Sequence, residues 1–384
     1  MAVHRVAVKP KLLRWAREEA GLTAKNLVRR FPKYLEWERG ETQPTLKQLE
    51  DFAEATYAPL GYLLLSEPPK ETLPIPDFRT IGSGPLGQPS LNLRDTVYLC
   101  ELRQDWYREH ALAEDLDPVR LVGSARVTDS IESHAAQTRT ALGIDLEDRA
   151  RMPSWSDALR QLIRNADSVG VLVMVSGVVG NNTQRRLDPQ EFRGFALVDD
   201  IAPLVFINGA DTKAAQMFTL AHELAHLCLG ESALSNSKAE QISRHHNSVE
   251  AWCNRFAAEL LVPINSIQAM HQGEEPVEDE IQRLARLFKV STLVILRRLF
   301  DIGALTRDEF QSAYGLELGR LRKHVKGSGG NFYATQTSRA GERFSRALVS
   351  STLEGQTLYR DAFRLLGFKK ASTFQKLATK LGYA

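Results

Sequence analysis

The sequence predicts an α+β protein: a helical N-terminal domain, a central domain with a small sheet beside two long helices, and a basic, mostly helical C-terminal extension. Amphipathic segments with helix caps dominate both ends of the chain, and the strongest short β-branched runs lie in the middle. Directly after those runs, His222-Glu223-Leu224-Ala225-His226 sits inside an uninterrupted helical stretch.

A chain of 384 residues with 43% hydrophobic and 25% charged residues is expected to be globular, with two or three domains. No apolar run approaches about eighteen residues, so no transmembrane helix is expected. Met1 to Pro10 lacks a signal-peptide core. Cys100, Cys228 and Cys253 show no paired metal spacing and suggest a reducing, cytoplasmic location rather than a disulfide framework. The expected divisions are 1–70, 71–150, 151–318 and 319–384. Net charge is +2, yet residues 1–40 carry ten Lys/Arg against four Asp/Glu, and residues 319–384 carry thirteen against three. A basic head and tail on an acidic body point to polyanion or acidic-protein contacts at the ends, or to solvated helix faces.

The N-terminal stretch reads as short helices. Leu12 to Ala20 ends at Gly21, Thr23 caps a second helix running to about Phe31, and a third short segment holds Tyr34, Leu35 and Trp37. Thr45 caps a fourth, with Leu46, Leu49, Phe52 and Ala53 on one face. Ala16-Arg-Glu-Glu-Ala-Gly-Leu-Thr23, Trp37-Glu-Arg-Gly40 and Pro44-Thr-Leu-Lys-Gln-Leu49 together resemble an XRE-type helix-turn-helix domain, which implies DNA contact through the third helix. One departure stands out. Fifteen residues separate Gly21 from Trp37, about four fewer than the family pattern. Phe31-Pro32 occupies the place of the turn. A recognition helix one turn short loses about 6 Å of reach. The competing expectation is a fold used for protein contacts or dimerisation.

Pro59 to Pro69 and Pro74-Ile-Pro-Asp-Phe-Arg79 read as an extended linker, in which Ile75 and Phe78 are expected to pack on the central domain. Gly82 to Pro89 reads as a break, and Leu93 to Ala113 and Ser130 to Leu142 as helices. Val169 to Val175 is the best strand signal, with Phe192 to Val198 and Leu204 to Ile207 as its expected partners. An edge strand of this sheet could hold an extended peptide by strand addition.

Asn208 to Asp211 is a turn, Asp211 is the expected cap, and Thr212 to Leu229 runs as a helix to Gly230. Residues four apart on a helix share a face, so His222 and His226 can present two nitrogens to one metal ion. Glu223 lies about 100° around the helix from His222, where a carboxylate can touch a metal-bound water without binding the metal. This H-E-x-x-H pattern is the signature of zinc peptidases, with two ligands, one general base and room for water. A third ligand is required, and Glu250 is the choice. It opens a second helix that ends before Pro263, and Asn254 one turn on can hydrogen-bond a ligand and fix its orientation. His245 and His246 compete for the role from a polar, loop-like stretch, Ser235 to Ser248. Glu259 reads as a surface charge or a supporting group. Cys228 and Cys253 read as core, with Cys253 the weaker alternative as a ligand.

Phe218-Thr-Leu-Ala-His-Glu-Leu-Ala-His226, followed by Glu250-x-x-x-Asn254-x-Phe-Ala-Ala-x-Leu-Leu-x-Pro263, resembles the ImmA/IrrE family of metallo-endopeptidases across about residues 150 to 300. The resemblance implies a zincin-like domain, Zn2+ held by His222, His226 and Glu250, and Glu223 as the base that activates a zinc-bound water. Family members are typically bacterial or phage regulators. Some cleave a repressor with a helix-turn-helix domain, and others stand beside a toxin gene.

Glu280 to Phe288 and Thr292 to Phe300 form a helical hairpin with Leu284, Ala285, Phe288, Val290, Ile295 and Leu299 apolar, expected mainly as packing. The C-terminal stretch starts with Arg320-Leu-Arg-Lys-His-Val-Lys326 and Gly327 to Gly330. It then interleaves Phe332, Tyr333, Phe344, Tyr359, Phe363 and Phe368 with basic residues, as a nucleic-acid patch or a small docking module would.

The function expected is hydrolysis of one specific regulatory protein, linked to a repressor or a toxin. The alternative is an antitoxin-like or DNA-binding transcriptional regulator of a toxin–antitoxin-type pair that keeps the peptidase fold as a scaffold. Expected partners are a protein substrate or a cognate toxin or repressor, with DNA through the N-terminal domain and a homodimer as further options, and no membrane.

Overall fold

The computed structural model describes residues 5–69, 73, 89–235, 248–273, 276–322 and 337–383. The expected linker around Ile75 and Phe78, most of the Gly82 to Pro89 break, His245, His246, Phe332 and Tyr333 lie outside these residues. The chain divides into two compact units, Met1–Pro74 with Gln88–Arg94, and Ile75–Gly87 with Asp95–Ala384.

The first unit contains α1 (Pro10–Glu19), α2 (Ala24–Arg30), α3 (Tyr34–Arg39) and α4 (Leu46–Thr56), then a 3-10 turn at Leu60–Leu64. α1 begins two residues before the expected Leu12, because Pro10 supplies a helical φ at a position whose N–H needs no partner. Capping boxes start α2 and α4: Thr23 pairs reciprocally with Asn26, and Thr45 with Gln48. α3 has only six residues and stops at Gly40, whose φ of +77° suits glycine. Tyr34 and Trp37 of α3 turn inward onto Phe31 and Phe52, with Tyr34 stacked on Phe52 at 5.7 Å. Leu12, Leu13, Leu27 and Leu49 complete this core.

The second unit holds a four-stranded sheet in the order β1 (Leu172–Ser176), β3 (Leu204–Asn208), β2 (Gly194–Leu197), β4 (Ala233–Ser235). β1 runs parallel to β3, and β2 is antiparallel to both β3 and β4. The expected strand from Val169 is shorter at its start. Val169 ends the preceding helix α8 (Trp155–Ser168), and Gly170 turns the chain with φ +104°. β4 was not expected, since three residues are too few to show an alternating pattern.

Helices surround the sheet. α5 (Leu91–Ala113), α6 (Ile131–Ala141) and α7 (Leu146–Arg151) precede α8. After β3 come α9 (Lys213–Leu229), α10 (Ser248–Leu261), α11 (Ile264–Met270), α12 (Val277–Phe288), α13 (Thr292–Asp301) and α14 (Arg307–Arg322). One contiguous apolar core joins α6, α8 and the inner face of α9 to α10, α12 and α13. The apolar residues expected on the α12–α13 hairpin are all part of it, so that face is packing.

The cap of α9 corrects the sequence reading. Thr212, not Asp211, has the extended backbone of a cap, and its hydroxyl accepts from the Ala215 N–H at 3.2 Å. Asp211 faces Arg193 at 3.4 Å instead. Glu259 is also corrected: it is buried, ion-paired with Arg298, and accepts from the first N–H of α11, that of Ile264, at 3.2 Å.

The C-terminal helices α15 (Glu342–Leu353), α16 (Tyr359–Leu366) and α17 (Ala371–Lys380) lie in the second unit. Phe344, Phe368 and Phe374 are buried. Buried Arg103 of α5 donates to the Leu365 and Arg339 carbonyls, both at 3.0 Å. Arg343 donates to the Asp167 carbonyl at 3.0 Å. The interleaved aromatics that lie among the described residues thus serve mainly a small core and its seating on α5 and α8.

Candidate metal centre

α9 is apolar nearly all round, and its residues from Gln216 to Cys228 are buried, because it packs between the sheet and α10. Gly230 ends it in the left-handed conformation, and the Glu231 N–H caps the His226 carbonyl at 3.1 Å. His222, Glu223 and His226 are each fully buried.

α10 lies along α9 and brings Glu250, in its first turn, against both imidazoles. The Glu250 carboxylate stands 3.4 Å from His222 Nε2 and 3.0 Å from His226 Nε2, and the two nitrogens are 3.1 Å apart. The three could hold one metal ion. Ligand atoms placed tetrahedrally at about 2.0–2.1 Å from zinc lie about 3.3 Å from one another, and these separations match. Three such ligands leave a fourth position for a reactant, as a catalytic site requires. His245 and His246 lie outside the described residues, whereas Glu250 is in place.

Asn254, one turn beyond Glu250, is buried beside His222 and favours its protonated ring. Its Oδ1 and the His222 Nδ1 are both buried without a hydrogen-bond partner among the described residues. They match as acceptor and donor, so a small rotation would let Asn254 fix the ring with Nε2 toward the metal. Burial opposes charge on His222, but Glu250, Glu223 and Asn254 outweigh it and its pKa is raised. Burial lowers the pKa of His226, and the charge on His222 lowers it further. Burial would raise that of Glu250, yet the two imidazoles hold it well below the usual carboxylate range. The triad is therefore electrostatically suited to a cation.

Glu223 Oε1 lies close to β2. A Cβ on Gly194 would lie 3.1 Å from Glu223 Oε1, 2.5 Å from Thr219 Cγ2 and 2.8 Å from the Phe206 carbonyl oxygen. Gly194 is thus the bare stretch of strand against which the carboxylate fits. Sequence reasoning missed this residue, because a glycine opening a strand has several ordinary explanations. Burial pushes the Cys228 thiol up to about 12 and the Cys253 thiol well above its usual value, so both are protonated core residues.

A buried H-E-x-x-H helix that faces a glutamate beside a small mixed sheet is the arrangement a zincin-like metallopeptidase domain would have. Residues 166–300 match the family model described as the IrrE N-terminal-like domain, a peptidase family, which supports the ImmA/IrrE resemblance for this part of the chain. Residues 340–380, which span α15 to α17, match a second family described as a domain of unknown function (DUF8813). No curated protein matches the chain. Among the described residues, no helix is long and apolar enough to cross a membrane.

Proposed function

We propose that the protein is a zinc-dependent metallo-endopeptidase that hydrolyses one specific regulatory protein, linked to a repressor or a toxin. The observation that carries this reading is the convergence of two imidazole nitrogens and the Glu250 carboxylate, while buried Glu223 is left over as a base. His222, His226 and Glu250 would hold the zinc. When bound, the ion supplies Lewis acidity, polarising a carbonyl and acidifying water.

The chain's own residues do the rest. Glu223 takes a proton on its carboxylate from the attacking water and passes it to the leaving amine nitrogen. Its burial gives that carboxylate a water-poor setting. Asn254 orients His222, and Gly194 leaves Glu223 the room it occupies. The N-terminal helices, read as a helix-turn-helix relative with a short third helix, help select the protein substrate.

Bound metal, measured on wild type, His222→Ala and Glu223→Gln with the neighbouring gene's product co-expressed, tests this reading. Stoichiometric zinc in wild type and Glu223→Gln, its loss in His222→Ala, and cutting of the partner by wild type alone are expected. A partner left intact and held in a stable complex by all three would replace the peptidase with the antitoxin-like scaffold.

A further inference from the structure

The end of α10 remote from Glu250 is ringed by arginines. Arg139 of α6 donates to the Glu259 carbonyl at 2.7 Å, Arg298 of α13 to that of Val262 at 2.8 Å, and Arg149 of α7 to that of Leu261. Carbonyls at a helix C-terminus carry partial negative charge, which favours a cation there. Arg298 also has the Glu259 carboxylate as its counter-ion. Arg149 has none among the described residues. It is 5% exposed, and its Nε and Nη1 are buried with no hydrogen-bond partner. Burial lowers its pKa to about 10, and the charge of Arg139 acts in the same direction. A buried guanidinium with unused donors is unfavourable unless an acceptor reaches it.

Arg149 lines a cavity of about 440 Å³ bounded by the α6–α7 turn, α7 and α8. That volume lies in the range of small-molecule sites, about 300–1,000 Å³. Ile144, Met152, Ala158 and Leu162 give it apolar walls, and the Gln161 and Asn165 amides add hydrogen-bonding groups. The other charged residues of the lining have partners. Arg151 pairs with Glu147 at 3.2 Å and Asp148 at 3.5 Å, and Asp145 accepts the N–H groups of Glu147 and Asp148 at 2.7 and 3.0 Å. The lining holds two Asp and two Arg, and of the two guanidiniums only that of Arg149 lacks a carboxylate partner among the described residues.

We propose that this cavity binds a small monocarboxylate with an aliphatic body, its carboxylate on Arg149 and its chain along Ile144, Met152 and Leu162. A single carboxylate matches the single unpaired guanidinium, whereas a phosphate dianion would bring a second negative charge toward Asp145 and Asp148. The site is separate from the metal centre, roughly 16 Å along α10 from Glu250.

Calorimetric titration of the full-length protein with acetate, butyrate and hexanoate at constant ionic strength tests this, with inorganic phosphate as the comparison. Saturable binding that tightens with chain length is expected. Arg149→Gln should weaken it by about tenfold or more, the usual worth of a charged hydrogen bond. Asn165→Phe, which fills the cavity and leaves Arg149 in place, should abolish it, and decides alone if Arg149→Gln fails to fold. The proposal is overturned by no saturable binding of any carboxylate, by binding that survives the cavity-filling variant, or by saturation with phosphate alone.

Discussion

Gly194 and Glu223 meet where β2 passes α9, with the place of a 194 side chain only 3.1 Å from Glu223 Oε1. A strand residue thereby sets the position of a helix carboxylate. Gly194→Ala would collide with the Phe206 carbonyl oxygen at 2.8 Å, which is backbone and cannot step aside. We expect a loss of about 1–3 kcal/mol in chemical denaturation and lower peptidase activity, with metal content unchanged. Thr219→Ser removes the methyl but not the carbonyl, so the double variant should recover only part of the stability. Full stability and activity in Gly194→Ala would show that the carboxylate needs no such room.

On the proposed reading, Asn254 would act on metal affinity through His222. Asn254→Ala removes the only role we give it, orienting the ring, and should weaken zinc binding about 10–100-fold in a chelator competition. Asn254→Asp should restore much of that affinity, because an acceptor returns beside Nδ1. Equal affinities in all three proteins would remove Asn254 from the site.

Zinc bound only to the folded chain must stabilise it. Thermal unfolding should move to lower temperature on adding a chelator and return with zinc, and His222→Ala should show neither change. At 100 Kd of free zinc the expected gain is about 2.7 kcal/mol. Chelator-insensitive unfolding of the wild type, isolated with its metal, would contradict this.

Asp167, at the end of α8 and against the start of α15, makes stability depend on pH. Burial raises its carboxyl pKa from 3.8 to about 7, and the charge of Glu342 adds to this. The backbone N–H groups of Val173 and Arg343 oppose the rise without cancelling it. Because the folded value lies above the unfolded one, the folded chain binds the proton more tightly. Its stabilising contribution is complete below 3.8 and is lost as pH rises through about 7. Asp167→Asn should therefore be more stable than wild type at about pH 8 and should flatten the fall in melting temperature from about pH 5 to about pH 8. Parallel pH profiles for the two proteins would rule this out.

Arg298 and Glu259 form a buried ion pair at the C-terminal end of α10. Arg298→Ala leaves the Glu259 carboxylate buried with the Ile264 N–H as its one remaining hydrogen-bond donor among the described residues, and should cost about 3–5 kcal/mol in urea denaturation. A loss below about 1 kcal/mol, the worth of a surface pair, would mean that water replaces the guanidinium.

Local rules carried the sequence reading a long way. Capping chemistry placed α2 and α4 at Thr23 and Thr45, and apolar periodicity placed α9 and α10 to within a few residues. The spacing of His222 and His226 is a property of one helix, so it could be read from the sequence directly. Glu250 was chosen from its place at the start of the next helix, with Asn254 one turn on, and the family resemblance supported the choice; no spacing rule joins residues 226 and 250. Asp211 was taken for the cap because an acidic side chain is as good a cap as a hydroxyl, and the backbone at Thr212 decided between them.

By itself, the sequence determined the helices of the first unit, α5, α6, α9, α10, α12 and α13, three of the four strands and the shared face of His222 and His226, because caps, periodicity and ligand spacing act over a turn or two of chain. Tertiary structure alone decided that β4 completes the sheet, that Gly194 makes room for Glu223, and that Glu259 is buried with Arg298 instead of exposed. It also decided that Arg149 is buried without a counter-ion among the described residues. These are pairings between residues tens to hundreds of positions apart, and burial and steric fit act only once the packed helices and sheet have brought such residues together.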